Sequence, residues 1–220
     1  MTSIDSQEYK QHVEIMKGLN MPEGFNEVRE AYKEDFEKIY LKAKQEGVDL
    51  SNAKEFLNSL SKDELSTLQN FTKLADEIDV EELSDEGAYN LLLHHYEKFD
   101  FNGDGFKEDG KAKISGIISD NMPSDTKKAM VDTFNEMDLE DTLFALVLFL
   151  KPLKVENGQL VPNNEPITMQ KIEQRVQRIL AEENKHYSTP ELRASISKFW
   201  EAFNSNYEKI KEQKAYYGIK

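Results

Sequence analysis

Asp100-Phe101-Asn102-Gly103-Asp104-Gly105-Phe106-Lys107-Glu108-Asp109 is the one stretch of this chain in which oxygen-bearing side chains recur at a spacing that a specific chemistry demands. A hard cation such as calcium takes roughly six to eight oxygen ligands, so a loop that binds it must turn several carboxylates and carbonyls inward together. Alternate positions achieve this. Asp100, Asn102 and Asp104 can converge while Phe101 and Gly103 point away. Gly105 supplies a sharp turn, the backbone carbonyl of Phe106 is the next candidate ligand, and Glu108 falls where a direct or water-bridged ligand is expected. The plainer reading is an Asx-rich turn between two helices, because Asn-Gly and Asp-Gly are favoured turn dipeptides in their own right.

The pattern D-x-N-x-D-G-x-x-E resembles the first nine positions of an EF-hand loop. Leu92, His95, Tyr96 and Phe99 precede it at the spacing of an EF-hand's entering helix. The resemblance covers about residues 84 to 118. It implies a helix-loop-helix that holds calcium, with magnesium as the second candidate ion, through Asp100, Asn102, Asp104, Phe106 and Glu108. The chain departs from the pattern at its end. The twelfth position, where the motif places a bidentate Glu, is Lys111, and Lys107 stands where an aliphatic residue is usual. Asp109 is the candidate replacement if the exiting helix starts early; Ile114, Ile117 and Ile118 sit one or two places later than that helix would have them. In this register Lys111→Glu completes the ligand set and strengthens binding. With few acidic ligands, the ion is expected to be structural or weakly regulatory.

Outward from the loop, the composition is that of an all-α protein. The 220 residues include only six Pro and ten Gly, and 32% are charged, which favours long helices with solvated faces. The net charge of −14 argues against nucleic acid as a partner and suits cations or a basic protein. There is no Cys, which removes disulfides and thiolate metal sites. The first residues lack the charged-then-apolar layout of a signal peptide, so a cytoplasmic location is expected, or an extracytoplasmic one if the chain is trimmed.

Periodicity places a helix over about 5–17, and a longer amphipathic one over 23–46 that Gly47 ends as a left-handed cap. A short helix follows over 51–59. Ser61-Lys62-Asp63-Glu64 reads as a capping box, and Ser84 caps a helix expected to run through Tyr96 into the loop. Helices are then expected over about 122–137 and from Asp138 on. Thr142 to Leu150 is apolar throughout, too short for a bilayer, and reads as a buried central helix covered on every face. Residues 77–82 faintly resemble 136–141, so 155–161 is either a degenerate partner of the first loop or a small β-hairpin; its Asn157-Gly158 turn favours the hairpin. Thr168 caps one further helix, and Thr189-Pro190 opens a last one of about 28 residues reaching Tyr217.

The expected architecture is a multi-helix globular bundle: a core over 1–161, with the EF-hand-like loop at 100–111, and a C-terminal helical pair over 167–217 packed on that core. No phosphate-cradling Gly motif, Gly-x-Ser-x-Gly or His-Glu-x-x-His occurs. Glu183-x-x-His186 is half of a di-iron pattern with no second half. His95 reads as the core-facing member of the pair His94-His95. The chemistry therefore leans away from an enzyme. It leaves two classes, a non-catalytic calcium-binding helical protein without membrane insertion, or a metal-independent adaptor that meets a protein partner through its acidic surface or C-terminal helices.

Overall fold

The computed structural model describes residues 6–20, 27–114, 122–150, 153–156, 158–163, 165–181 and 188–217. Within these, helices α1 (Gln7–Lys17), α2 (Glu27–Gln45), α3 (Ala53–Asn58), α4 (Lys62–Thr72) and α5 (Asp85–Leu91) are followed by strands β1 (Lys107–Asp109) and β2 (Ala112–Ile114). Then come α6 (Ser124–Glu136), α7 (Leu139–Ala145), β3 (Leu153–Glu156), β4 (Gln159–Pro162), α8 (Met169–Leu180) and α9 (Pro190–Tyr217). The protein is an all-α multi-helix fold with two small antiparallel hairpins, β1-β2 and β3-β4. Among the described residues no helix is long and apolar enough to cross a membrane.

The chain divides into two compact units, one over residues 1–3 and 21–115 and the other joining 4–20 to 116–220. The division thus falls near residue 115. The helical pair α8-α9 belongs to one unit with α1, α6 and α7.

In the unit that contains the loop, α2 packs on α4 and α3 on α5. Phe36, Leu57, Leu68 and Leu91 are fully buried, and the rings of Phe36 and Phe71 stack 3.7 Å apart. Local chemistry sets the helix ends. Ser61 and Glu64 form both halves of the capping box that opens α4. Gly47 takes φ +67° beyond α2, where a Cβ would be strained, and the Val48 amide reaches back to the Ala43 carbonyl.

In the other unit α9 is the central element, packed against α6, α7 and α8. Its Phe199 and Phe203 are fully buried and meet Phe149 edge-to-face. α1 lies on α6, where the buried His12 ring nitrogen Nδ1 is 2.7 Å from Lys127 Nζ.

Two expectations are corrected here. The apolar run at 142–150 is not covered on every face: α7 gives way to a tight turn over Leu146–Phe149, and Leu143, Val147 and Leu150 remain exposed. Only Ala145, Leu148 and Phe149 turn fully inward, because the neighbouring helix α9 reaches one side. The helix expected to carry the chain into the loop also stops early, at Leu91. From there residues 92–99 form successive turns, and His94, not His95, packs inward among Phe36, Tyr40, Phe71 and Tyr96.

Candidate metal centre

The loop folds around the side chains that the spacing singled out. Asp100 accepts hydrogen bonds at both oxygens, Oδ1 from the Gly103 amide at 2.7 Å and Oδ2 from the Gly105 amide at 2.8 Å. Asn102 Oδ1 accepts from the Asp104 amide at 2.7 Å, and Asp104 Oδ1 from the Phe106 amide at 2.8 Å. Gly103 and Gly105 take φ +75° and +94°, a region that L side chains rarely adopt, so the two glycines allow this double reversal. Each candidate ligand therefore bends the backbone that follows it. A carboxylate oxygen that accepts one amide still has a lone pair for an ion.

Helix α5 supplies the scaffold, through residues with no ligand signature in the sequence. Glu86 is 4% exposed, and its Oε2 accepts from the amides of Phe101 and Asn102 while Oε1 accepts from Glu108, each at 3.0 Å. Burial pushes the Glu86 carboxyl above its ordinary value; the three amides oppose that, and the charge of Asp100 adds to it. Asn90 is fully buried and binds the chain on both sides of the loop: Nδ2 donates to the carbonyls of Phe99 at 3.0 Å and Glu108 at 2.6 Å, and Oδ1 accepts from the Phe99 amide. These bonds fold residues 92–99 back and give the physical reason that α5 does not continue.

The second flank also departs from an EF-hand. Where an exiting helix was expected, residues 107–114 form a β-hairpin whose turn is Gly110-Lys111, with Gly110 at φ +60°. The Gly110 amide donates to the Gly87 carbonyl at 3.1 Å, and a Cβ on Gly87 would collide with the Gly110 carbonyl oxygen. The hairpin is thus seated on the helix through two glycines. Ile114 lies exposed in β2, and Ile117 and Ile118 lie outside the described residues. Glu183 and His186 also lie outside them.

Of the remaining candidates, Glu108 and Asp109 lie in the hairpin with ion-pair partners of their own. Phe106 stands just before β1 with its side chain half-buried. Glu108 lies in β1, where Oε2 accepts from the Ser84 hydroxyl and Oε1 is 2.6 Å from Lys113 Nζ. Burial acts to raise its carboxyl, but Lys113 and Ser84 together hold it below its ordinary value. Asp109, the expected stand-in for the missing last ligand, is buried and ion-paired with Lys98. Burial drives the Lys98 ammonium's pKa down, and Asp109 opposes that. Lys111 sits in the hairpin turn, paired with Glu82.

The side-chain oxygens at the loop itself are those of Asp100, Asn102 and Asp104. These are hard ligands of the type calcium takes, but fewer than its usual six to eight. Among the described residues no three His, Cys, Asp or Glu side chains stand together as a metal-holding group. Asn90 was the feature most open to detection in the sequence, an amide set inside the apolar run Ala88-Tyr89-Asn90-Leu91-Leu92-Leu93. Glu86 and Lys113 look like ordinary surface charges until the hairpin is known. No protein-family model, curated protein or solved structure matches the chain.

Proposed function

We propose that this is a non-catalytic calcium-binding helical protein, and that the loop over 100–106 holds one ion weakly, as a structural support for its own unit. The observation that carries the reading is the doubly bonded Asp100: both its oxygens are set by the amides of Gly103 and Gly105, so the first ligand is oriented in advance. Asn102 and Asp104 are exposed beside it, and the chain's net charge of −14 attracts cations. Water completes the shell, which makes the site weak. Magnesium, which demands a near-ideal octahedron, is the poorer fit.

The second reading is a metal-independent adaptor in which the loop is only a turn. Lys113 favours it, since its ammonium already neutralises Glu108 and lies 3.9 Å from Asp104. Thermal unfolding in calcium and in chelator separates the two. A millimolar site in roughly 10 mM calcium stabilises by about 1.4 kcal/mol. A melting temperature that rises in calcium for the native chain and not for Asp104→Ala supports the ion. Equal temperatures in calcium and chelator support the adaptor.

A further inference from the structure

Independently of the loop, we propose that the exposed stripe Leu139, Leu143, Val147 and Leu150 docks an amphipathic helix of another protein, one with acidic residues in its first turn and basic residues in its last, lying antiparallel to α7. The four side chains recur at intervals of four, four and three residues along α7 and the tight turn after it, and are each 41–59% exposed on a chain whose mean hydropathy is −0.70. Half-buried Phe144 and exposed Glu140 border a groove with Leu139 and Leu143. A contiguous apolar strip rimmed by charge is the form of a helix-binding surface.

Charge selects the occupant and its direction. At one end Lys198 is already taken by Asp138 and Asp141, so among the described residues Glu140 has no ion-pair partner. That end is net negative. At the other end the Arg175 guanidinium donates to the carbonyls of Leu148 at 2.5 Å and Leu150 at 2.9 Å, which brings a positive charge to the close of the stripe. A helix with acids first and bases last matches both ends only when it runs antiparallel to α7, and such a helix is itself stabilised by that charge order. A second copy of this chain is the weaker occupant. Four half-exposed side chains offer far less than the ~800 Å² per partner that a stable dimer buries, and each copy carries −14.

The test titrates the full chain with a labelled designed peptide of about 18 residues, roughly 27 Å of helix. It carries Leu at positions spaced four, three and four apart, Glu in its first turn and Lys in its last. The same peptide with Glu in both end turns is the control. Binding is expected, weakened about tenfold by Leu143→Glu, by Glu140→Lys and by the replacement of Lys with Glu in the peptide. Both substitutions are at exposed positions, and circular dichroism checks that the fold is kept. Absence of binding, or equal binding of the two peptides, overturns the proposal. So does sedimentation of the native chain as a dimer that Leu143→Glu dissolves, which assigns the stripe to a second copy.

Discussion

The ammonium of Lys113 lies 2.6 Å from Oε1 of Glu108 and 3.9 Å from Oδ2 of Asp104, so a cation belonging to the protein stands beside two carboxylates of the candidate loop. The lysine side chain is 58% exposed and can swing away, whereas Glu108 is anchored in β1. An ion entering the loop must compete with that ammonium or do without Glu108.

Replacing the lysine by an uncharged side chain of similar length removes the competitor and the repulsion together. Lys113→Met is expected to raise calcium affinity about tenfold, ~1.4 kcal/mol, as read by calorimetry. An unchanged affinity would show that Glu108 is never recruited.

Lys111 gives the opposite expectation. It belongs to the hairpin turn and pairs with Glu82, not with the loop. Lys111→Glu should leave calcium affinity unchanged and cost at most about 1 kcal/mol of stability, as befits an exposed pair. A clear gain in affinity would restore the EF-hand register that the sequence suggested.

Glu108 sets a pH dependence. Its folded pKa is depressed below the ordinary value of 4.5, so its pair with Lys113 contributes fully above that pH and is lost as pH falls through the folded value. Carboxyl carbon resonances followed through an acid titration should place Glu108 below 4.5, and Lys113→Met should move it up. A Glu108 titration at or above the ordinary value in the native chain would contradict the pairing.

Removing Glu86 leaves three amides without an acceptor, those of Phe101 and Glu108 in buried places. Glu86→Ala should destabilise its unit by about 3 kcal/mol. Hydrogen exchange is the sharper readout, because it is local: the amides of Phe101, Asn102 and Glu108 should lose protection while those of α9 keep theirs. Loss spread evenly over both units would mean that Glu86 does not act on the loop.

Much of the fold was legible because much of it is local. The Ser61–Glu64 box, the Gly47 cap and the full length of α9 depend on residues within a few positions of one another, and each forms where periodicity and capping place it. Gly158, at φ +78°, likewise lies between β3 and β4 where the turn was expected, and Asn157 lies outside the described residues. The loop divides at Gly105. Up to that residue the side chains of Asp100, Asn102 and Asp104 accept from amides two to five positions on, while the Phe101 and Asn102 amides reach away, to Glu86. Beyond it the chain is governed by contacts across 18 to 24 residues, from Asn90, Glu86 and Ser84 to Glu108, and these choose a hairpin over a helix. No periodicity announces a buried glutamate that collects amides from a distant loop. The apolar run after Asp138 misled for a related reason: composition shows that a segment is apolar but not on how many sides it has neighbours.

The most direct test of the calcium reading is a calorimetric titration of chelator-stripped protein with calcium, run beside Asp100→Ala and repeated with magnesium. The expected result is one ion per chain, bound weakly, preferred over magnesium and abolished in Asp100→Ala. No heat from the native chain, or the same heat from Asp100→Ala, would contradict it and leave the loop as a turn closed by Lys113.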